Sequence, residues 1–195
     1  MKLNKLFALA VTLILLATFS VPAAMADQWN QATKVTFSAQ VELPGTILLP
    51  GTYWFTLLNG DTDRNIVQIW GANRMHLLAT ILTIPDYRLH PKGKTVIKFE
   101  ERPSSQPEAL QAWFYPGDSY GYEFVYPEHR ARELAKRIGQ PVLSMPDSLA
   151  TNISKPAKSA DEPSVAAMKN AHVEAVNPKG ENVSVAQAAQ ENAQK

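Results

Sequence analysis

The chain has 195 residues, with 19 basic against 18 acidic side chains, a formal charge of +1 and no cysteine. Without cysteine there is no disulfide framework, thiol nucleophile or thiolate metal site, and no lipid-bearing cysteine of the bacterial lipoprotein type. The near balance of charge offers no concentrated positive field, so no nucleic-acid partner is expected.

Lys2 and Lys5 open the chain, and an apolar run from Leu6 to Phe19 follows, broken only by Thr12 and Thr18. Ala24-Met25-Ala26 then fits the small-x-small rule of signal peptidase. This predicts a cleavable signal peptide over residues 1–26 and a mature N-terminus at Asp27. The run falls short of the roughly 20 apolar residues that a membrane-spanning helix needs. No second long apolar segment follows, so no transmembrane segment is expected after cleavage. The expected location is the periplasm or the outside of the cell.

Residues 27–146 read as one β-rich domain. Val35, Phe37, Ala39 and Val41 alternate with polar neighbours, which predicts a half-buried strand over 34–42. Leu43-Pro44-Gly45-Thr46 recurs as Leu49-Pro50-Gly51-Thr52. Pro followed by Gly presets a type II turn, so a turn is expected at each copy. Further strands are predicted over 53–58, 65–70, 77–84 (ended by Pro85), 94–101, 110–115 and 120–126. Short strands spaced by turns argue for a mainly β fold, an antiparallel β-sandwich or a small barrel.

One C-terminal amphipathic helix is predicted over 127–138. Pro127 suits its first turn, Ala131, Leu134, Ala135 and Ile138 make one apolar stripe, and Gly139 with Pro141 ends it. The opposite face carries His129, Arg130, Arg132, Lys136 and Arg137 interleaved with acids, and reads as a solvated face. Apart from Phe7 and Phe19, every aromatic residue lies between Trp29 and Tyr126. Residues 147–195 are rich in Ala, Ser, Asn, Gln, Lys and Glu, and read as a mostly disordered polar tail, with transient helix expected near Val165–Val176 and Val185–Ala193.

Several motifs suggest chemistry. Gly117-Asp118-Ser119-Tyr120-Gly121 matches G-x-S-x-G, the nucleophile elbow of hydrolases. That elbow needs a helix after the serine, whereas Tyr122–Tyr126 has a strand pattern, so a hairpin turn is expected instead. Asp61-Thr62-Asp63-Arg64-Asn65 opens like a calcium loop, but Ile66 and Ala72 stand where that loop needs Gly and Glu. The four histidines, His76, His90, His129 and His172, show no metal-ligand spacing. Glu100 and Glu101 are neighbours on a predicted strand and point to opposite faces. No catalytic residue, metal site or cofactor is expected.

The aromatic concentration remains. Trp113 and Tyr115 share one strand face; Tyr120, Tyr122, Phe124 and Tyr126 share another. Such a face is either core or a platform that stacks on sugars. If any of these rings touch a ligand, Trp113, Tyr115 and Tyr120 are the candidates. Glu123 lies on the opposite side of its strand, which is expected to face solvent because an unpaired buried carboxylate is costly.

The segment Val41–Phe55 with its Leu-Pro-Gly-Thr-Tyr run resembles a group of uncharacterised exported bacterial proteins. So do Asp63–Ile69, Ala79–Leu82, Ile84–Arg88, Phe99–Pro103 and Ala112–Gly117. The resemblance covers roughly 29–146. It implies export and a compact β domain; the group has no assigned activity, so it implies no site. Three readings stand: a non-catalytic exported interaction or envelope-associated protein, which is preferred; a carbohydrate- or small-ligand-binding module; and a hydrolase built on Ser119. The partner is not named by the sequence; an envelope component or a carbohydrate is consistent with it.

Overall fold

A computed structural model describes residues 31–58, 65–100, 106–150 and 156–193. The predicted signal peptide, with Asp27, Asp61 and Asp63, lies outside the described residues. The first half is a run of strands: β1 (Ala32–Phe37), β2 (Val41–Leu43), β3 (Thr46–Leu48), β4 (Gly51–Leu58), β5 (Asn65–Gly71) and β6 (Leu77–Tyr87). Then come β7 (Val96–Glu100), β8 (Glu108–Phe114), β9 (Tyr120–Phe124) and β10 (Tyr126–Pro127), followed by α1 (Glu128–Ile138) and β11 (Val142–Met145). The C-terminal part adds α2 (Pro163–Lys169), β12 (Glu174–Val176), β13 (Asn182–Val183) and α3 (Val185–Ala193).

The fold is mixed α/β and dominated by two sheets. The larger has nine strands in the order β1-β4-β5-β6-β9-β8-β2-β3, with β7 on the other edge of β8. It curls until its far strands meet: the rings of Phe37 on β1 and Phe99 on β7 lie 6.2 Å apart, and those of Phe55 and Trp113 5.8 Å apart. No hydrogen-bonded pairing joins β1 to β7 or β3, so the sheet does not close and the barrel expectation is corrected. The smaller sheet has the order β10-β11-β12-β13.

Two proline expectations fare differently. Gly45 takes a φ of 82° in the turn between β2 and β3, as the Pro-Gly reading requires. Gly51 instead opens β4, opposite Phe37, so the second Pro-Gly is not a second such turn. Pro85 does not end its strand; it pairs with Tyr122 of β9. The predicted strand over 34–42 is broken at residues 38–40, and β1 and β2 lie far apart in the sheet.

The inner face of the curl carries Phe37, Phe55, Val67, Ile69, Ile81, Trp113, Tyr122 and Phe124. α1 closes one end of this core with Ala131, Leu134 and Ala135 fully buried, and Gly139 ends it in the left-handed region at φ 70°. The helix therefore sits as its apolar stripe predicts.

The outer face is where the sequence reading must be corrected. Residues 156–193 are not a disordered tail, and the described residues hold three α-helices rather than one. Ala157, Val165, Met168 and Ala175 are fully buried in a second core with Ile66, Leu82, Val125, Leu143 and Met145. Ala157 is held in the outer face by three bonds. Its carbonyl accepts from Gln68 Nε2 (2.7 Å) and Thr80 Oγ1 (3.0 Å), and its N–H donates to Thr80 Oγ1 (2.9 Å). Small apolar side chains at the right positions do the packing that aromatics do elsewhere.

Candidate functional site

α1 closes one end of the curled sheet; the opposite end is built from two connections. One is the β6–β7 loop, residues 88–95. The other is the β8–β9 turn, Tyr115 to Ser119, where Gly117 at φ 85° supplies the conformation that a side chain resists. Backbone bonds join them: Arg88 N–H donates to Ser119 O (2.8 Å), and Gly117 N–H donates to Lys92 O (2.8 Å). The Arg88 guanidinium ties the turn further, with Nη2 and Nε donating to Asp118 O at 2.7 and 2.9 Å. Its plane lies 4.7 Å from the centre of the Phe114 ring, and Lys98 Nζ stands 4.9 Å from the same ring. Phe114 itself lies across Gly121, where an added Cβ would meet the ring at 2.4 Å, so only glycine fits beneath it.

A line of rings runs from this end into the core. Tyr87 stands edge-on to Tyr120 at 5.4 Å, Tyr120 edge-on to Tyr122 at 5.2 Å, and Tyr122 against Trp113 at 5.2 Å. Exposure falls steeply along it: Tyr87 is 71% exposed, Tyr120 half-buried, Tyr122 3% and Trp113 0%. Tyr122 OH donates to Gln31 Oε1 (2.6 Å), and Gln31 Nε2 donates to Asp118 Oδ2 (2.6 Å). Burial first, then Tyr120 and Asp118, hold the Tyr122 phenol above its ordinary range. Tyr126 is buried as well, its hydroxyl donating to Leu110 O at 2.8 Å.

Of the three candidate ligand residues, Tyr115 and Tyr120 remain partly accessible at this end, whereas Trp113 is sealed in the core. Sequence reasoning missed Tyr87 because it ended the strand at Pro85. The β6–β9 register, which pairs Tyr87 with Tyr120, is not carried by the pattern of either strand alone.

Ser119 lies exposed in the hairpin turn, and β9 rather than a helix follows it. His129, on α1, is bonded to Asp147, and His172 to Glu174. No group of three His, Asp or Glu side chains among the described residues is placed to hold a metal.

A shallow hollow of about 620 Å³ lies between the β2–β3 hairpin and the start of α1, lined by Leu43, Ile47, Pro127, His129 and Arg130. Its strongest charge is already engaged. Arg130 binds Glu42 through two bonds of 2.5 and 2.7 Å and also binds Glu133. These bonds hold the guanidinium charged still more firmly than usual.

The outer face of β9 holds a carboxyl group that the sequence reading placed in solvent. Glu123 lies near Asp86 on β6 and Glu100 on β7, with Lys98 bridging to Asp86 at 3.1 Å. Burial, then the charges of Asp86 and Glu100, push the Glu123 carboxyl up to about 8, against a partial opposing pull from Lys98. The folded state thus binds this proton more tightly than the unfolded chain, whose ordinary value is 4.5. The stabilisation is complete below 4.5 and is lost as pH rises through about 8. The melting temperature is expected to fall over that interval, and Glu123→Gln should flatten the fall. A wild-type curve that is level between pH 5 and 8 would contradict this assignment.

No family model, curated protein or solved structure matches the chain. The function is therefore argued from the site alone. Among the described residues no helix is long and apolar enough to cross a membrane.

Proposed function

We propose that the chain is an exported, non-catalytic interaction protein of the cell envelope, which makes contact through the end formed by the β6–β7 loop and the β8–β9 turn. One observation carries the reading. Among the described aromatic rings only Tyr87 is largely exposed, at 71%; it stands against Tyr120, and Leu89, two residues on in the same loop, is 93% exposed. Large apolar side chains that cluster in water mark contact surfaces. A sugar platform is the weaker reading. The Tyr87 and Tyr120 rings meet at 76°, so they present no common flat face. The signal-peptide pattern and the absence of cysteine support export as a soluble chain.

The test is sedimentation of the purified mature chain with washed envelope fractions. Wild type is expected to sediment, and the double variant Tyr87→Ser/Leu89→Ser to remain in solution with an unchanged melting temperature. Equal sedimentation of the two proteins would move the contact elsewhere on the molecule.

A further inference from the structure

We infer that the β6–β7 loop docks on an anionic lipid surface, with Leu89 and Tyr87 entering the headgroup boundary and Lys92 and Lys94 meeting lipid phosphates. The inference rests on the contact end proposed above and names its partner. The segment from Tyr87 to Lys98 reads Tyr-Arg-Leu-His-Pro-Lys-Gly-Lys-Thr-Val-Ile-Lys, with four basic residues and no acid in a chain that is nearly neutral as a whole.

The structure divides those four charges. Lys98 is paired with Asp86, and Arg88 is turned inward onto the Asp118 carbonyl and the Phe114 ring. Lys92 and Lys94 are exposed on the loop, with no carboxylate paired to either among the described residues. Asp118, the acid nearest in the adjoining turn, accepts from Gln31. The free charge at the tip is therefore positive, which complements an anionic surface.

The apolar part separates a bilayer from a soluble polyanion. Leu89 projects almost wholly into water between Arg88 and His90, with Pro91 following. An acidic polysaccharide would satisfy the lysines but would leave Leu89 in water. A bilayer takes both, because an aliphatic tip and a tyrosine ring favour the boundary between headgroups and acyl chains. Anchoring of the loop base through Arg88, Ser119, Gly117 and Lys92 means little ordering remains to be done on binding.

Flotation with vesicles tests the inference. The mature chain is expected to float with phosphatidylglycerol vesicles, to stay behind with phosphatidylcholine vesicles, and to be released by added salt. Leu89→Ser should weaken flotation roughly tenfold, as loss of a buried leucine does. Lys92→Ala/Lys94→Ala should weaken it by tenfold or more, at about 1 kcal/mol for each lysine. These substitutions are on an exposed loop, and an unchanged melting temperature confirms that each variant is folded. Flotation unaffected by Leu89→Ser, or equal on both lipids, would overturn the inference. So would binding to dextran sulfate that Leu89→Ser leaves intact, which would assign the loop to soluble polyanions. Sedimentation with envelope fractions but no flotation on any vesicle would defeat the lipid assignment and leave the proposed contact end standing; failure of both assays would remove both.

Discussion

A mature chain ending at Pro146 is expected to lose most of its stability. The polar composition after Asp147 suggests a dispensable tail, and the packing argues the reverse. Truncation removes Ala157, Val165, Met168 and Ala175 and strips the cover from Ile66, Leu82, Leu143 and Met145. Full burial of each of these large side chains stabilises by about 1.5–3 kcal/mol. Part of that gain is offset by the ordering entropy of the removed segment. Truncation also makes Gln68 and Thr80 exchange the Ala157 backbone for water, a net loss of about 0.5–1.5 kcal/mol per bond. The net loss should be on the order of 5 kcal/mol or more, comparable to the whole stability of a marginal domain. Thermal melting followed by circular dichroism should show a drop of more than about 10 °C or no cooperative transition. A truncated chain melting within a few degrees of the intact one would show that the C-terminal segment contributes nothing to the fold.

Trp113→Ala is expected to cost about 3–5 kcal/mol, the range for a large aromatic removed from a core. Trp113 is fully buried between the rings of Phe55 and Tyr122 and holds the two sides of the curl together. Its Nε1 has no hydrogen-bond partner among the described residues, so the indole contributes volume rather than a bond. Tyr120→Ala should cost clearly less, about 1–2 kcal/mol, because that ring is only partly buried. Chemical denaturation of the two variants separates them. Equal losses would mean that Tyr120 is core, and a Trp113→Ala loss below about 1 kcal/mol would mean that the curl is held by other contacts.

The strands and α1 were legible because their signals are local. Alternation in Val35 and Phe37 faces one sheet surface, and the Leu134 stripe recurs at helical spacing. The packing of the C-terminal segment was not legible, because its apolar content is mostly Ala, Val and Met, and such side chains bury little area unless a prepared surface receives them. That surface is the outer face of β5 and β6, supplied by residues far earlier in the chain. The contact end was half legible. Tyr115 and Tyr120 could be chosen from alternation, but nothing local distinguishes sealed Trp113 from exposed Tyr87. The Glu123 neighbourhood was hidden for the same reason, since Asp86 and Glu100 reach it from different strands.

The bonds at Ala157 carry a consequence for the order in which the molecule assembles. Gln68 and Ala157 are separated by 89 positions, and Thr80 and Ala157 by 77. A nascent chain can form the curled sheet and α1 while the segment that seals Leu82 is still unsynthesised. Until residue 157 and its successors arrive, the half-built molecule shows an apolar outer surface to its surroundings. Assembly therefore ends with the latch at Ala157.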